Sequence, residues 1–301
     1  MTRITRDPAH LHYAFSAKIP PVARMSVDET AVFETVDASG GQIPARGDDP
    51  PDTGRFLPAT GPVYVAGAEP EDAIAIGIEE IRLAPEGHMW VRPGLGFAGR
   101  FDRMESVTVT IPPSPADTCL FAGRIPLPLR PMVGTAGVAP APGVEVSTRY
   151  PGTHGGNLDI TRLGPGSRLW LQVQVEGALV SLGDVHAAMG DGEVCGTGVE
   201  IEAEVTVRFA LRRRVRLPMP VLETRDAFFF LGDAPLLEDS PVGPLGWAAR
   251  LLGASLALGP EQAHMLISAA CDVRICQLVN GRMGTALRVP KSLLTLPMDR
   301  W

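Results

Sequence analysis

Between Asp184 and Glu193 the chain sets Asp184, His186, Asp191 and Glu193 among glycines, alanines and a methionine. A core strand would fill these positions with Val, Ile or Leu, and a plain turn needs no histidine and glutamate beside two aspartates. Carboxylates and an imidazole at this density are the groups that hold a divalent cation or move protons. If residues 184–187 are extended, Asp184 and His186 share a face, because strand side chains repeat every two residues. Glu193, after the Gly190-Asp191-Gly192 turn, can fold back toward the same point. The alternative is a polar hairpin whose aspartates bond backbone amides, a reading that suits Asp191 best.

Upstream, His154-Gly155-Gly156-Asn157-Leu158-Asp159 has the same character. Two glycines let the backbone approach a ligand and expose N–H groups, which stabilise an oxyanion in acyl transfer. His154 and Asp159 are candidate metal ligands or proton carriers; a tight turn capped by His154 is the other reading. Asp37, in Val36-Asp37-Ala38-Ser39-Gly40-Gly41-Gln42, is a third polar point, as a ligand or as a turn cap. Cys195 invites a nucleophile reading, but no basic residue adjoins it and a structural thiol is the commoner case. His10, His12, His88 and His264 have no comparable context.

These residues must be positioned by a chain of 301 residues, enough for one large domain or two ordinary ones. Hydrophobic residues make up 45% and charged residues 20%, the range of globular proteins. A net charge of −7 excludes the basic footprint of a nucleic-acid binder. The first twenty residues lack the apolar core of a secretory signal, and no stretch of ~18 apolar residues offers a membrane span. Cys119, Cys195, Cys271 and Cys276 fit neither a zinc ribbon nor a disulfide framework, so a reduced, cytoplasmic protein is expected.

Alternation of period two dominates: residues 73–81, 105–111, 169–175 and 199–211 all read as half-buried strands, with Val199, Ile201, Ala203, Val205, Val207 and Phe209 on one face of the last. Helical signal is confined to 245–257 and to a segment opened by Gly259-Pro260-Glu261 and running to Ala270. Residues 273–279 and 285–289 read as a hairpin about Asn280-Gly281. The Pro- and Gly-rich stretches 41–62 and 126–143 read as loops. The expected architecture is mainly β, an antiparallel sheet or sandwich with a small helical, α+β C-terminal portion. A boundary near residue 130 would divide an N-terminal sandwich, 1–130, from a site-bearing β domain, 131–301.

Together these segments resemble the acetamidase/formamidase family. The resemblance is carried by Val32-Phe33-Glu34-Thr35-Val36-Asp37-Ala38-Ser39-Gly40-Gly41-Gln42, Gly61-Pro62-Val63-Tyr64-Val65-Ala66-Gly67, Val133-Gly134-Thr135-Ala136-Gly137-Val138, Gly152-Thr153-His154-Gly155-Gly156-Asn157-Leu158-Asp159, Gly183 to Thr197, and Cys271 to Asn280 with Val289-Pro290-Lys291-Ser292. It spans nearly the whole chain in order; 236–257 fits it poorly. It implies a mainly β fold with jelly-roll and barrel-like parts, a bound divalent metal, hydrolysis of a short-chain amide to a carboxylate and ammonia, and a homodimer or larger homo-oligomer.

The metal-assisted reading takes ligands from Asp37, Asp159, Asp184 and His186, with His154 as a further candidate. Zinc is the first choice and calcium the second. Glu193 is the expected general base and then acid, with His154 and Asn157 as further catalytic candidates and Gly155 and Gly156 holding the carbonyl oxygen. Two alternatives stay open: a Cys195 nucleophile based by His186 or His154, and a non-catalytic β-sandwich stabilised by a structural ion.

Overall fold

The computed structural model describes residues 1–27, 29–45, 51–114 and 117–301. Strands hold 42% of the chain and helices 13%, so the mainly β expectation stands, in the form of large curled sheets. Twelve strands and two helices position the site. In chain order they are β1 (Thr30–Thr35), β2 (Ala59–Val65), β3 (Ala73–Val91), β4 (Met132–Gly137), β5 (Gly155–Asn157), β6 (Arg168–Gln172), β7 (Val180–His186), β8 (Glu200–Arg212), β9 (Val221–Glu223) and β10 (Ala227–Ala234). Helices α1 (Val242–Leu256) and α2 (Pro260–Ala270) follow, and β11 (Asp272–Gln277) and β12 (Met283–Pro290) close the chain as a hairpin.

The long strand β8 lies antiparallel between β3 and β1, and β3 pairs on its other edge with β6. β7 pairs with β2 and β4, and β4 also pairs with β5. β6, β9, β10, β12 and β11 continue the ladder in that order. Alternation along β6 shows why the sequence reads as strand. Leu169 and Leu171 enter the main core with Ile74, Ile76, Val205 and Val207, while Trp170 turns to a second core with Phe230, Trp247 and Leu251. Helix α1 keeps its shape despite three glycines because Trp247, Ala248, Leu251 and Leu252 bury one face against that second core. Among the described residues no helix is long and apolar enough to cross a membrane.

Two sequence expectations change. The stretch 126–143, read as a loop, contains the edge strand Ile125–Pro128 and the fully buried β4. β4 escapes the pattern because Gly134, Thr135, Ala136 and Gly137 offer no alternation of large apolar and polar side chains. The stretch 41–62 holds helical turns at Gln42–Ala45 and Thr53–Arg55 and the start of β2, and residues 46–50 lie outside the described residues. At residue 130 the sheet does not break: β6, β7 and β8 pair with β3, β2 and β1, so strands from both sides share one ladder and one core.

Candidate active site

β7 carries Asp184 and His186 into the interior at its C-terminal end, and both side chains are buried. The register sets His186 opposite Glu200, the first residue of β8. His186 Nε2 lies 3.5 Å from Asp184 Oδ1 and 3.1 Å from Glu200 Oε2. Asp159 comes in from the turn after β5, and Glu193 from the loop between β7 and β8. Candidate ligand atoms of Asp159, Asp184 and His186 all lie within 4.8 Å of one another, as do those of His186, Glu193 and Glu200. Four carboxylates thus surround one imidazole. Asp159, Asp184 and Glu193 each have left-handed backbone, with φ of 45°, 57° and 46°. Such a conformation costs a non-glycine residue about 1–2 kcal/mol and concentrates where surrounding structure fixes a functional geometry.

The frame around the acids is close-fitting. A Cβ at Gly134 would fall 2.6 Å from Asp159 Oδ1 and 2.7 Å from Asp184 Oδ2, and one at Gly198 would fall 2.7 Å from the His186 ring. Thr135 Oγ1 donates to Asn157 Oδ1 at 2.9 Å and reaches Asp184 Oδ2 at 3.2 Å. Asn280 Nδ2 donates to Asp159 Oδ2 at 2.9 Å. The Met132 sulfur lies 3.1 Å from His186 Nδ1. The Glu193 loop is docked on the C-terminal hairpin: Gly192 N–H donates to Cys276 O, and Leu278 N–H donates to Gly192 O. The fully buried Gln277 shapes that hairpin, its Oε1 accepting from the N–H groups of Val279 and Asn280.

Burial and mutual repulsion set the electrostatics. Burial, with Asp184 next to it, pushes the Asp159 carboxyl up to about 7. Burial raises Glu200 to about 8, with Asp184 adding to the rise and His186 opposing it. Glu193 is held well above the usual carboxylate range, by burial and then by Asp159. Burial alone would lower His186, but Glu200 and Asp184 together override it and hold the imidazole well above its ordinary value. Asp159, Glu193, Glu200 and His186 therefore hold protons more tightly than the free side chains do, and a divalent cation can displace them.

The structure brings Asp159, Asp184, His186 and Glu193 together and reaches Asn157 through Thr135. The other expected residues fall elsewhere. Asp37 uses its carboxylate to cap its own turn, accepting from Ser39 N–H and Gly41 N–H at 2.7 and 3.1 Å and from the Ser39 hydroxyl. The His154 ring packs edge-on against Phe15, with centroids 5.1 Å apart, and its Nε2 is buried without a hydrogen-bond partner. Gly155 and Gly156 lie inside the ladder of β4, β5 and Pro151–Gly152, where a Cβ on either would fall 2.3 Å from a backbone oxygen. Their requirement for glycine is met by that close approach. Cys195 Sγ turns to Thr197 O at 3.3 Å. Asp191 faces outward to Thr161 and Arg274, as a turn residue does.

Glu200, Asn280, Thr135 and Met132 are site residues that the sequence pattern does not announce. Glu200 alternates with the apolar face of β8 and so reads as solvent-facing. Only its cross-strand register with His186 puts it inside.

A mainly β enzyme scaffold with a buried acid–imidazole centre is the class these features define. The chain belongs to the Acetamidase/Formamidase family, whose sequence profile matches residues 2–118 and 128–233. The acetamidase of Bacillus halodurans superposes with a TM-score of 0.90 at 33% identity, over 98% of this chain and all of that one. An acetamidase/formamidase of Thermoanaerobacter tengcongensis superposes with a TM-score of 0.91 at 31% identity, over 98% of this chain and 97% of that one. A formamidase-like protein of Schizosaccharomyces pombe is 25% identical over 71% of this chain and 70% of its own. The chain is accordingly an amidohydrolase of short linear amides.

The family resemblance implies a divalent metal, and the buried residues fit one. Asp159 Oδ1 and Glu193 Oε2 are buried without a hydrogen-bond partner among the described residues, and Asp184 Oδ1 and Glu200 Oε2 have His186 Nε2 beside them at 3.5 and 3.1 Å. Orphaned buried carboxylate oxygens are costly, and carboxylates converging on one imidazole make a hard-oxygen and nitrogen donor set of the kind divalent cations take.

Proposed function

We propose that the chain hydrolyses a short carboxamide of the formamide or acetamide kind in a metal-dependent reaction centred on His186. The observation that carries this reading is the set of buried carboxylate oxygens around that one ring. Asp159, Asp184 and His186 would hold the cation, zinc being the first choice for a site that includes imidazole. Bound there, a divalent cation supplies a lowered water pKa and polarises the amide carbonyl.

The chain's own groups do the rest. Glu193, whose carboxylate burial and Asp159 make more basic than usual, accepts the proton of the attacking water once a bound cation has displaced the site's own protons, and returns it to the departing nitrogen. Glu200 faces His186 from the next strand and holds the ring's Nε2 toward the centre. Asn157 and Thr135 orient Asp184, and Asn280 orients Asp159. The close-fitting glycine floor at Gly134 and the interior position exclude bulk water.

Elemental analysis of the purified protein, run beside an ammonia-release assay over small amides with and without chelator, tests the reading. Stoichiometric metal and chelator-sensitive turnover are expected; full turnover in rigorously metal-free protein would overturn it. Glu193→Gln sharpens the test: turnover is expected to fall by about 10²–10⁴ while metal content stays the same. The homo-oligomer implied by the resemblance belongs to the same reading, and light scattering checks it.

A further inference from the structure

Away from the acid centre, four residues form one line across four neighbouring strands: Glu223 on β9, Arg168 on β6, Gly77 on β3 and Arg208 on β8. Residues opposite one another in a ladder share a face, and neighbouring strands lie ~4.8 Å apart. The backbones of Arg168 and Arg208 are thereby held ~10 Å apart with a strand between them that carries no side chain at that point. The result is a notch floored by Gly77, with the Arg168 side chain passing 3.6 Å from where a Cβ would sit and the Arg208 guanidinium held by Glu79 and the Thr30 hydroxyl.

The notch belongs to a cavity of about 390 Å³, to which Arg225 and Lys291 also contribute. A second cavity of about 580 Å³ adjoins it, sharing Gly166, Ser167, Thr224 and Arg225. Both volumes lie in the range of small-molecule sites, ~300–1,000 Å³. Only two carboxylates line the first cavity, and both are engaged: Glu79 with Arg208 at 2.9 Å, and Glu223 with Lys291 at 2.7 Å. Arg168 and Arg225 make no salt bridge among the described residues. On a chain of net charge −7, a concave surface with surplus positive charge concentrates anions. Guanidinium forks match the oxygens of a tetrahedral oxyanion in pairs. None of the cavity's residues belongs to the acid centre.

We propose that the Gly77 notch binds a small phosphate-type dianion, with Arg168 and Arg225, which carry no salt bridge among the described residues, closing on its oxygens and Arg208 adding positive charge from the next strand. The concavity and its size favour a small molecule over a macromolecular surface.

Calorimetric titration of the full chain at low ionic strength tests it, with inorganic phosphate and glycerol phosphate as separate probes and with or without prior chelator treatment. One saturable site is expected, insensitive to chelator. A glycerol phosphate affinity well above that of phosphate assigns the site to phosphorylated small molecules, and equal affinities assign it to the free anion. Arg168→Gln with Arg225→Gln is expected to weaken binding at least tenfold. Gly77→Ala, which fills the notch without changing charge, is expected to weaken it as well. The added Cβ would sit 3.2 Å from Arg208 O, so the arginine variant serves as the independent check should this one unfold. The proposal fails if binding disappears with the chelator, which would place the anion at the acid centre. It fails equally if neither variant weakens binding, or if the arginine variant separates an oligomer, which would make the groove a contact between copies.

Discussion

His186 and Glu200 occupy the one register pair that joins β7 to β8, and their Nε2 and Oε2 atoms stand 3.1 Å apart with both side chains buried. Removing one member of a buried charged pair leaves the other uncompensated, at a cost of about 3–5 kcal/mol. Glu200→Ala is therefore expected to lower the urea midpoint by a shift of that size. Glu200→Gln keeps the volume and an acceptor for Gly198 N–H, and is expected to recover most of the loss. Equal midpoints for wild type and Glu200→Ala would show that the pair supports nothing.

Asn280 holds Asp159 from the far C-terminal hairpin by one hydrogen bond. A hydrogen bond to a charged group contributes about 1.5–3 kcal/mol. Asn280→Ala is expected to reduce kcat/KM for amide hydrolysis by roughly ten- to a hundredfold with an unchanged circular dichroism spectrum. Wild-type kinetics in that variant would mean that the turn after β5 orients Asp159 unaided.

Gly134 has no room for a methyl group, since two carboxylate oxygens lie within 2.7 Å of where it would sit. Gly134→Ala is expected to yield folded protein, destabilised by about 1–3 kcal/mol as overpacking usually is, with substoichiometric metal and little activity. Full metal occupancy would contradict the close fit.

The buried His154 and the half-buried His12, both outside the centre, give a pH dependence of known sign. Burial holds both His12 and His154 down to about 4, against an ordinary 6.5. The folded state then binds fewer protons than the unfolded one between those values, so their contribution is complete above 6.5 and is lost as pH falls toward 4. The margin of wild type over His154→Gln, from urea unfolding at a series of pH values, is expected to shrink across that window. A margin that stayed constant would mean that His154 is not buried neutral.

Cys195 has its thiol on the Thr197 carbonyl and hydroxyl, at 3.3 and 3.4 Å. Cys195→Ser is expected to retain turnover within a few-fold and to remain sensitive to chelator. An inactive variant beside a chelator-resistant wild type would restore the thiol route.

Much of the fold is legible as period-two alternation, because β8 alternates buried apolar with polar positions and β3 and β6 alternate between two apolar cores. β4 is not, since a strand packed against the acid centre on Gly134 and between neighbours at Gly137 carries almost no side chain to alternate. The site divides in the same way. Asp184, His186 and Glu193 stand out because acids and histidine among glycines serve no packing need. Glu200 and Asn280 are hidden because each belongs to a locally ordinary pattern, a polar face and a tight turn, and acquires meaning only from a partner far away in sequence. His154 lies in another setting: its ring packs on Phe15, and the two glycines after it sit in a crowded ladder.

The Glu193 loop leans on backbone made much later than itself, through Cys276 and Leu278. Considered in the order of synthesis, a nascent chain that has already paired β7 with β2 and β4 still lacks the clamp on Glu193 and the amide that steadies Asp159. Hydrolytic competence then waits on the β11–β12 hairpin, which is made after the strands that carry Asp184 and His186. A break between the two helices and that hairpin would silence the enzyme while most of its sheet remained intact.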